Sequence, residues 1–340
     1  MLTIPESLSS FLAISHNLVI ITHHNPDGDA IGSSMGLYNA LIQKGHNVQV
    51  IIPNEQPQFL QWMSGCCEII NFTDKKEKCI ERLAQAEMVF CLDFNATNRT
   101  DTLEEHLNTL SCPTVMLDHH PYPANFATYN ISVIEKSSTC ELVFDFLTAL
   151  GWSEVINKTV AECLLTGIMT DTGCFIHNAS NPRTYEVMAA LLSTGANKND
   201  IYNRVFDNYS FDRMKLLGYC LNEKLVYLPE YHLAYMSLTR EEQNKFNMQT
   251  GDTEGIVNIP FSIKGIWITA FFSEKNDKIR ISFRSKGSFA VNKFSELYFE
   301  GGGHHNAAGG ESKLSMSETL KRFETLLKNH KHEITEPYTD

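Results

Sequence analysis

Short, almost wholly apolar runs alternate with longer segments of helical spacing through the first part of the chain. Residues 17–22, 48–52, 88–92 and 113–117 read as strands. The spacing between and after them predicts helices over 31–44 (ending at Gly45, a good C-cap), 75–86, 102–110, 138–150, 158–171 and 182–194. A short amphipathic helix within 1–16 places Leu8, Phe11, Leu12 and Ile14 on one side. A strand–helix–strand succession of this kind implies a parallel sheet, with ligands gathering at the carboxyl ends of its strands.

The alternation stops near residues 195–217. Beyond it, 224–228, 231–237, 266–273 and 278–285 read as strands of a mixed or antiparallel sheet, and 291–299 and 317–330 as helices. The expected organisation is an α/β domain over 1–195, a parallel sheet with helices on both faces. A linker over 196–217, a smaller α+β domain over 218–332 and a frayed polar tail over 333–340 follow.

Three of the apolar strands end in acids or histidines. The first leads into Thr22-His23-His24-Asn25-Pro26-Asp27-Gly28-Asp29, the third ends at Asp93, and the fourth at Asp118-His119-His120. The helix over 158–171 ends at Asp171. Any one of these residues alone is most simply a solvated loop group. Together, at buried strand ends, their charges are costly unless they are paired or bind metal. His23, Asp27, Asp29, Asp93, His119 and Asp171 form the candidate ligand set. Oxygen ligands with some imidazole suit two hard divalent ions, Mn²⁺ before Mg²⁺, Fe²⁺ or Co²⁺. Two ions about 3.5–4 Å apart acidify a shared water and aim it at phosphorus. Asp118 is read as orienting a histidine of its own segment, and His120 as stabilising charge on phosphoryl oxygens.

A second signal is Gly301-Gly302-Gly303-His304-His305-Asn306-Ala307-Ala308-Gly309-Gly310. The glycines allow close backbone approach, and their amides are expected to form an anion nest, with His304 adding a side-chain contact. Upstream, Arg280, Ser282 and Arg284 alternate onto one strand face, and Arg284 is the expected bidentate phosphate ligand. Asn292 reads equally as a helix N-cap and as a ligand contact. Phe59, Trp62 and Phe261 are rings that could stack on a base, although core packing is the simpler role for each.

Composition sharpens this picture at two points. The net charge of −12 argues against stable binding of long nucleic acid, which needs a broad basic surface, while leaving room for a short phosphorylated substrate. Nine cysteines, none in a CxxC pair, read as reduced core residues of a cytoplasmic protein. No apolar run is long enough to span a membrane, and no signal peptide is evident.

The sequence from His23 to Gly32, followed by Asp93, then Asp118-His119-His120, then Asp171, resembles the four motifs of the DHH phosphoesterases in order. Gly301-Gly302-Gly303-His304 resembles the signature of the DHH-associated C-terminal domain. Within that family the chain is most similar to the small two-domain nano-RNases of the NrnA type. These degrade very short RNAs to mononucleotides, and many dephosphorylate 3′-phosphoadenosine 5′-phosphate (pAp). The resemblance implies two Mn²⁺ on the six ligands with Asp93 shared, and His120 on the scissile phosphate. It also implies that Arg284, His304 and the glycines hold the far phosphate and nucleotide. His24 and His305 receive no role. The implied partners are short oligonucleotides or small nucleotides, with a homodimer as the default assembly. Metals on one domain and a phosphate site on the other would favour short substrates. The rival readings are a soluble cyclic- or linear-dinucleotide phosphodiesterase and, without catalysis, a nucleotide-sensing module. A pyrophosphatase is disfavoured by the glycine triplet, and a long-strand exonuclease by size and charge.

Overall fold

Neighbouring residues of the first apolar strand enter two different cores. Leu18 and Ile20 join one buried cluster, and Val19 and Ile21 another. Side chains alternate across a strand, so a run apolar at every position needs cover on both faces. The computed structural model describes residues 2–249 and 251–335. It divides into two units, Met1–Asn208 and Tyr209–Asp340.

The first unit contains strands β1 (Asn17–Thr22), β2 (Asn47–Ile52), β3 (Ile70–Asn71), β4 (Met88–Leu92), β5 (Thr114–Asp118) and β6 (Tyr129–Ser132). They form one sheet in the order β3-β2-β1-β4-β5-β6, and every pairing is parallel. The order reverses between β1 and β4, so the chain leaves those two strands in opposite directions and opens a crevice at their carboxyl ends. Its helices are α1 (Glu6–Leu12), α2 (Gly28–Gln43), α3 (Lys76–Ala84), α4 (Glu104–Leu107), α5 (Thr139–Ala149), α6 (Lys158–Asp171), α7 (Pro182–Ser193) and α8 (Lys198–Val205).

The packing of α2 on α6 decides where the site forms. A Cβ on Gly28 would lie 2.3 Å from Thr170 Oγ1, on Gly32 2.7 Å from the Cys163 carbonyl, and on Gly36 2.4 Å from Leu164 Cδ2. Glycine at every fourth position clears a groove along α2, and α6 lies in it antiparallel. The start of α2, carrying Asp29, therefore meets the end of α6, carrying Asp171.

The second unit contains β7 (Val226–Leu228), β8 (Leu233–Leu238), β9 (Ile268–Glu274), β10 (Ile279–Ser285), β11 (Gly302–His304) and β12 (Ala307–Ser312). Their order is β11-β12-β10-β9-β8-β7, with β8 and β9 parallel and the other neighbours antiparallel. Helices α9 (Phe211–Tyr219), α10 (Arg240–Lys245), α11 (Val291–Tyr298), α12 (Met316–Asn329) and α13 (Lys331–Thr335) complete it. Phe272, Phe283, Phe294, Phe299 and Phe323 dominate the core on one face of the sheet.

The structure differs from the sequence-based expectation in particular places. Helix α2 starts at Gly28, three residues before the expected Ile31, because Asp27 caps it and accepts from the amides of Asp29 and Ala30. The expected helix over 102–110 is broken into a 3₁₀ segment, Thr97–Leu103, kinked at Asp101 with φ +50°, and the short α4. The two-residue β3 and the polar β6 carry too little apolar pattern to be read as strands. Residues 196–217 include α8 and the start of α9, each capped by its own side chain, Asn197 and Ser210, and the units divide after Asn208. Of the expected tail, 333–335 belong to α13, where Ile334 is buried and its carbonyl accepts from the Trp267 indole; 336–340 lie outside the described residues.

Candidate metal centre

Five structural elements deliver ionisable groups to the carboxyl edge of the parallel sheet. His23 follows β1, Asp93 follows β4, and Asp118, His119 and His120 close β5. Asp27 and Asp29 open α2, and Asp171 closes α6. His23, Asp29, Asp93, Asp118, His119 and His120 are all buried.

The six expected ligands fall into two sets. One is His23, Asp27 and Asp93; the other is Asp29, His119 and Asp171; within each, one ligand atom per residue lies within 4.8 Å of the others. Asp93 stands between them. Its Oδ2 lies 3.4 Å from His23 Nε2, and its Oδ1 lies 3.7 Å from His119 Nε2 and 3.8 Å from His120 Nδ1. His119 Nε2 also lies 3.5 Å from Asp171 and 3.8 Å from Asp29.

Backbone acceptors set the imidazole rings. His23 Nδ1 pairs with the His24 carbonyl at 2.9 Å and His119 Nδ1 with the Lys136 carbonyl at 3.2 Å. A carbonyl only accepts, so each Nδ1 carries a proton and each Nε2 is the atom that faces the acids, donating to them when protonated and open to a cation when not. His120 is held differently: Nδ1 donates to Asp118 Oδ1 at 2.7 Å, and Asp118 Oδ2 accepts from the His120 amide at 3.1 Å. The aspartate of this segment thus orients His120 and not His119. His24 turns away, with Nε2 3.6 Å from Asp101.

Asp29 leans across onto α5, where Oδ2 accepts from the Thr139 amide at 2.6 Å and Oδ1 from the Cys140 amide at 2.9 Å. These are unpaired N–H groups of a helix start, favourable for a carboxylate. Thr139 donates its hydroxyl to Asp93 Oδ1 at 2.9 Å. The segment from Lys136 into the first turn of α5 therefore steadies three members of the site, through Lys136, Thr139 and Cys140. It is locked in turn by Glu141, which is wholly buried and accepts from the Ser137 amide and hydroxyl, the Thr184 hydroxyl and Lys136. Lys136 also pairs with Asp145, which accepts from Arg183 at 2.6 Å. Sequence reasoning passed over this knot. The signal available was Ser138-Thr139-Cys140-Glu141, a helix start with an acid at its third position.

The electrostatics are those of an acidic cluster short of positive charge. Burial and then the charges of Asp93 and Asp171 push the Asp29 carboxyl well above its usual range. Asp171 rises to about 7, again chiefly by burial, with His119 opposing and Asp27 and Asp93 adding. Asp93 goes the other way: burial raises it, but the His23 hydrogen bond and the charges of His120, His23 and His119 outweigh that. Burial lowers His119, yet Asp171, Asp29, Asp93 and Asp118 bring it up to about 9. Carboxyls crowded until some hold protons are what a divalent cation relieves, and this donor set of oxygens with imidazole Nε2 fits such an ion. Asp93 also sits in the left-handed region at φ +66°, a costly conformation for a buried residue outside glycine.

In the second unit, Arg284 pairs in register with Ala307, which pairs with His304, so Arg284 and His304 share one sheet face. Ser282 lies on that face beside Gly309, opposite Gly302. Arg284 is half-buried, burial lowers its pKa, and among the described residues no carboxylate pairs with it; its Nη1 donates to the Phe283 carbonyl at 2.9 Å. The expected anion nest is not formed. The triplet runs into β11, an edge strand, and its glycines answer to sterics: a Cβ on Gly301 would lie 2.0 Å from the Gly309 carbonyl, and on Gly303, at φ +138°, 2.6 Å from that of Ala307. Asn292 is not a cap either, because Ala290 holds that position; its Oδ1 is buried without a hydrogen-bond partner among the described residues. Phe59 and Trp62 pack against the first unit's core, and Lys286 lies over Phe261.

Residues 17–168 match the DHH family, N-terminal domain, and residues 230–335 match the DHHA1 domain. Among curated relatives, the bifunctional oligoribonuclease and PAP phosphatase NrnA of Thermus thermophilus is 27% identical over 91% of this chain and 89% of its own length. The Bacillus subtilis protein of the same name is 24% identical over 94% and 97%. Among solved structures, an exopolyphosphatase-related protein from Bacteroides fragilis matches with a TM-score of 0.95 and 41% identity, covering 97% of each chain.

Proposed function

We propose, from the premise that this chain belongs to the DHH family and carries a DHHA1 domain behind its DHH domain, that it hydrolyses short oligoribonucleotides to mononucleotides and pAp to AMP. One observation carries the reading: the two ligand sets that meet at Asp93, in a buried cluster where crowding pushes the Asp29 and Asp171 carboxyls above their usual range. His23, Asp27 and Asp93 would hold one divalent ion, and Asp29, His119 and Asp171 the other, with Asp93 shared. Bound there, two such ions, Mn²⁺ first among them, polarise a phosphoryl oxygen and acidify a water.

The protein's own residues do the rest. Asp118 fixes the ring of His120 through Nδ1, so Nε2, on the far side from Asp118, is the atom turned to a phosphoryl oxygen, to which it donates as the imidazolium. Thr139 and the amides of α5 hold Asp93 and Asp29 in place, so the ligands need no reorganisation on binding. Arg284 has a half-buried charge and no carboxylate partner among the described residues, and a second phosphate group of the substrate offsets it, with His304 on the same face. The Asn292 oxygen is an acceptor for a sugar hydroxyl or base amine. Ser282 and Gly301–Gly303 shape that face.

The deciding experiment compares hydrolysis of a labelled diribonucleotide, a long RNA, pAp and cyclic di-AMP, each with Mn²⁺ and with EDTA. Turnover of the dinucleotide and pAp, absent with EDTA, is expected. Preference for cyclic di-AMP would replace the reading with a cyclic-dinucleotide phosphodiesterase. Absence of any turnover by Mn²⁺-loaded protein would replace it with a nucleotide sensor.

Metal affinity should rise with pH. Ligation needs Asp171 ionised and His119 Nε2 free of its proton, and these groups sit at about 7 and about 9 in the metal-free protein. Below each value a proton must leave for the cation to enter. Calorimetric Mn²⁺ titrations should give about tenfold tighter binding per pH unit between about pH 7 and 9, and a steeper rise below. A flat profile would contradict the assignment of these ligands.

A further inference from the structure

Tyr122 is the most exposed large apolar side chain among the described residues, at 86%, and it stands two positions beyond His120. Its backbone is left-handed, at φ +58°, which a bulky residue adopts only where the surroundings enforce it. The enforcement is visible. Asn95 clasps the loop on both sides of Tyr122, against Pro123, which favours an extended residue before it. Asn95 Nδ2 donates to the Pro121 carbonyl at 2.8 Å, and its own carbonyl accepts from the Ala124 amide at 2.7 Å. Asn95 is two residues from Asp93, so the strand ends that position Asp93 and His120 also hold Tyr122. Among the described residues no aromatic ring stacks on it. Two further exposed apolar side chains rise from segments that carry the centre. Ile134, 57% exposed, is two residues before Lys136, and Ile176, 76% exposed, follows Asp171.

An aromatic ring held out into solvent two residues from His120, in a loop tied to the segment that carries Asp93, has no stacking partner among the described residues to offset its backbone strain. It fits a ligand that joins a phosphate to a flat π-surface. We propose that Tyr122 is a stacking platform for a nucleobase of the substrate, and that it selects base-bearing phosphoesters over bare sugar phosphates. This rests on the nucleotide-hydrolase reading above and adds the group that reads the base. Stacking of a base on an aromatic side chain tolerates any base, so the platform serves oligonucleotides of mixed sequence.

The test titrates AMP and ribose 5-phosphate separately into Mn²⁺-loaded wild type, Tyr122→Phe and Tyr122→Ala by calorimetry. Wild type and Tyr122→Phe should bind AMP at least about tenfold more tightly than ribose 5-phosphate. Tyr122→Ala should lose that difference by weakening AMP alone, with its ribose 5-phosphate and Mn²⁺ affinities unchanged. An AMP preference that survives in Tyr122→Ala, or is missing from wild type, overturns the proposal. Dinucleotide hydrolysis by the wild type, followed in parallel, separates failure of the platform from failure of the hydrolase reading.

Discussion

Asp93→Asn should lower kcat/KM for a diribonucleotide by about 10³-fold or more, about 4 kcal/mol of transition-state stabilisation. Both oxygens of Asp93 are committed. Oδ2 faces His23 at 3.4 Å, and Oδ1 faces His119 and His120 and accepts the Thr139 hydroxyl at 2.9 Å. An amide keeps the volume but loses the charge shared by the two ligand sets, and turns a donor toward groups that need an acceptor. Asparagine is also the natural substitute at this position, because it tolerates the left-handed backbone that Asp93 adopts at φ +66°. The variant is therefore expected to fold, and Mn²⁺ calorimetry should show a lost or severely weakened ion. Activity within about tenfold of wild type, with normal metal content, would remove Asp93 from the centre of the mechanism.

Glu141→Ala should cost about 3 kcal/mol of stability and weaken Mn²⁺ binding by about 10–100-fold, although Glu141 is not among the candidate ligands. The stability loss follows from what the carboxylate accepts: the Ser137 amide and hydroxyl, the Thr184 hydroxyl and the Lys136 ammonium, all around a side chain with no exposed surface. Removing it strands buried donors, while Lys136 keeps Asp145 as a partner. The metal effect follows from the turn that Glu141 holds, since Lys136 sets the His119 ring and the Thr139 and Cys140 amides hold Asp29. Urea unfolding of the metal-free protein reads the first effect, and calorimetry under folding conditions reads the second. A purely structural Glu141 would show the first without the second. Thr184→Val, which removes one of these hydrogen bonds, should show a smaller version of both.

Much of this molecule is legible in its sequence, for reasons that are local. Strands apolar at every position, such as 88–92, announce burial on both faces and so a covered parallel sheet. The charged residues His23, Asp93 and Asp118 stand directly at the ends of such runs, where chain direction alone places them on one edge of the sheet. The first three motifs that resemble the DHH family lie in the same stretches and within the residues that match that family, while Asp171 follows three residues beyond the match.

Other features depended on contacts between residues distant in the chain, and no local pattern encodes those. Whether Asp118 served His119 or His120 was settled by the Lys136 carbonyl, which accepts the hydrogen bond of His119 Nδ1 and leaves His120 to the aspartate. Asp29 and Asp171 meet because glycines along α2 let α6 lie against it antiparallel, a matter of helix packing. The glycine triplet pointed to close backbone approach, but only the β11–β12 pairing showed that the approaching group is the chain's own carbonyls. The sequence by itself determined which residues stand at the strand ends and what chemistry they carry, because strand direction and side-chain type are local properties. The tertiary structure alone decided how those residues are oriented, charged and divided into two sets around Asp93. Hydrogen-bond partners, burial and the sum of neighbouring charges exist only once the chain has folded.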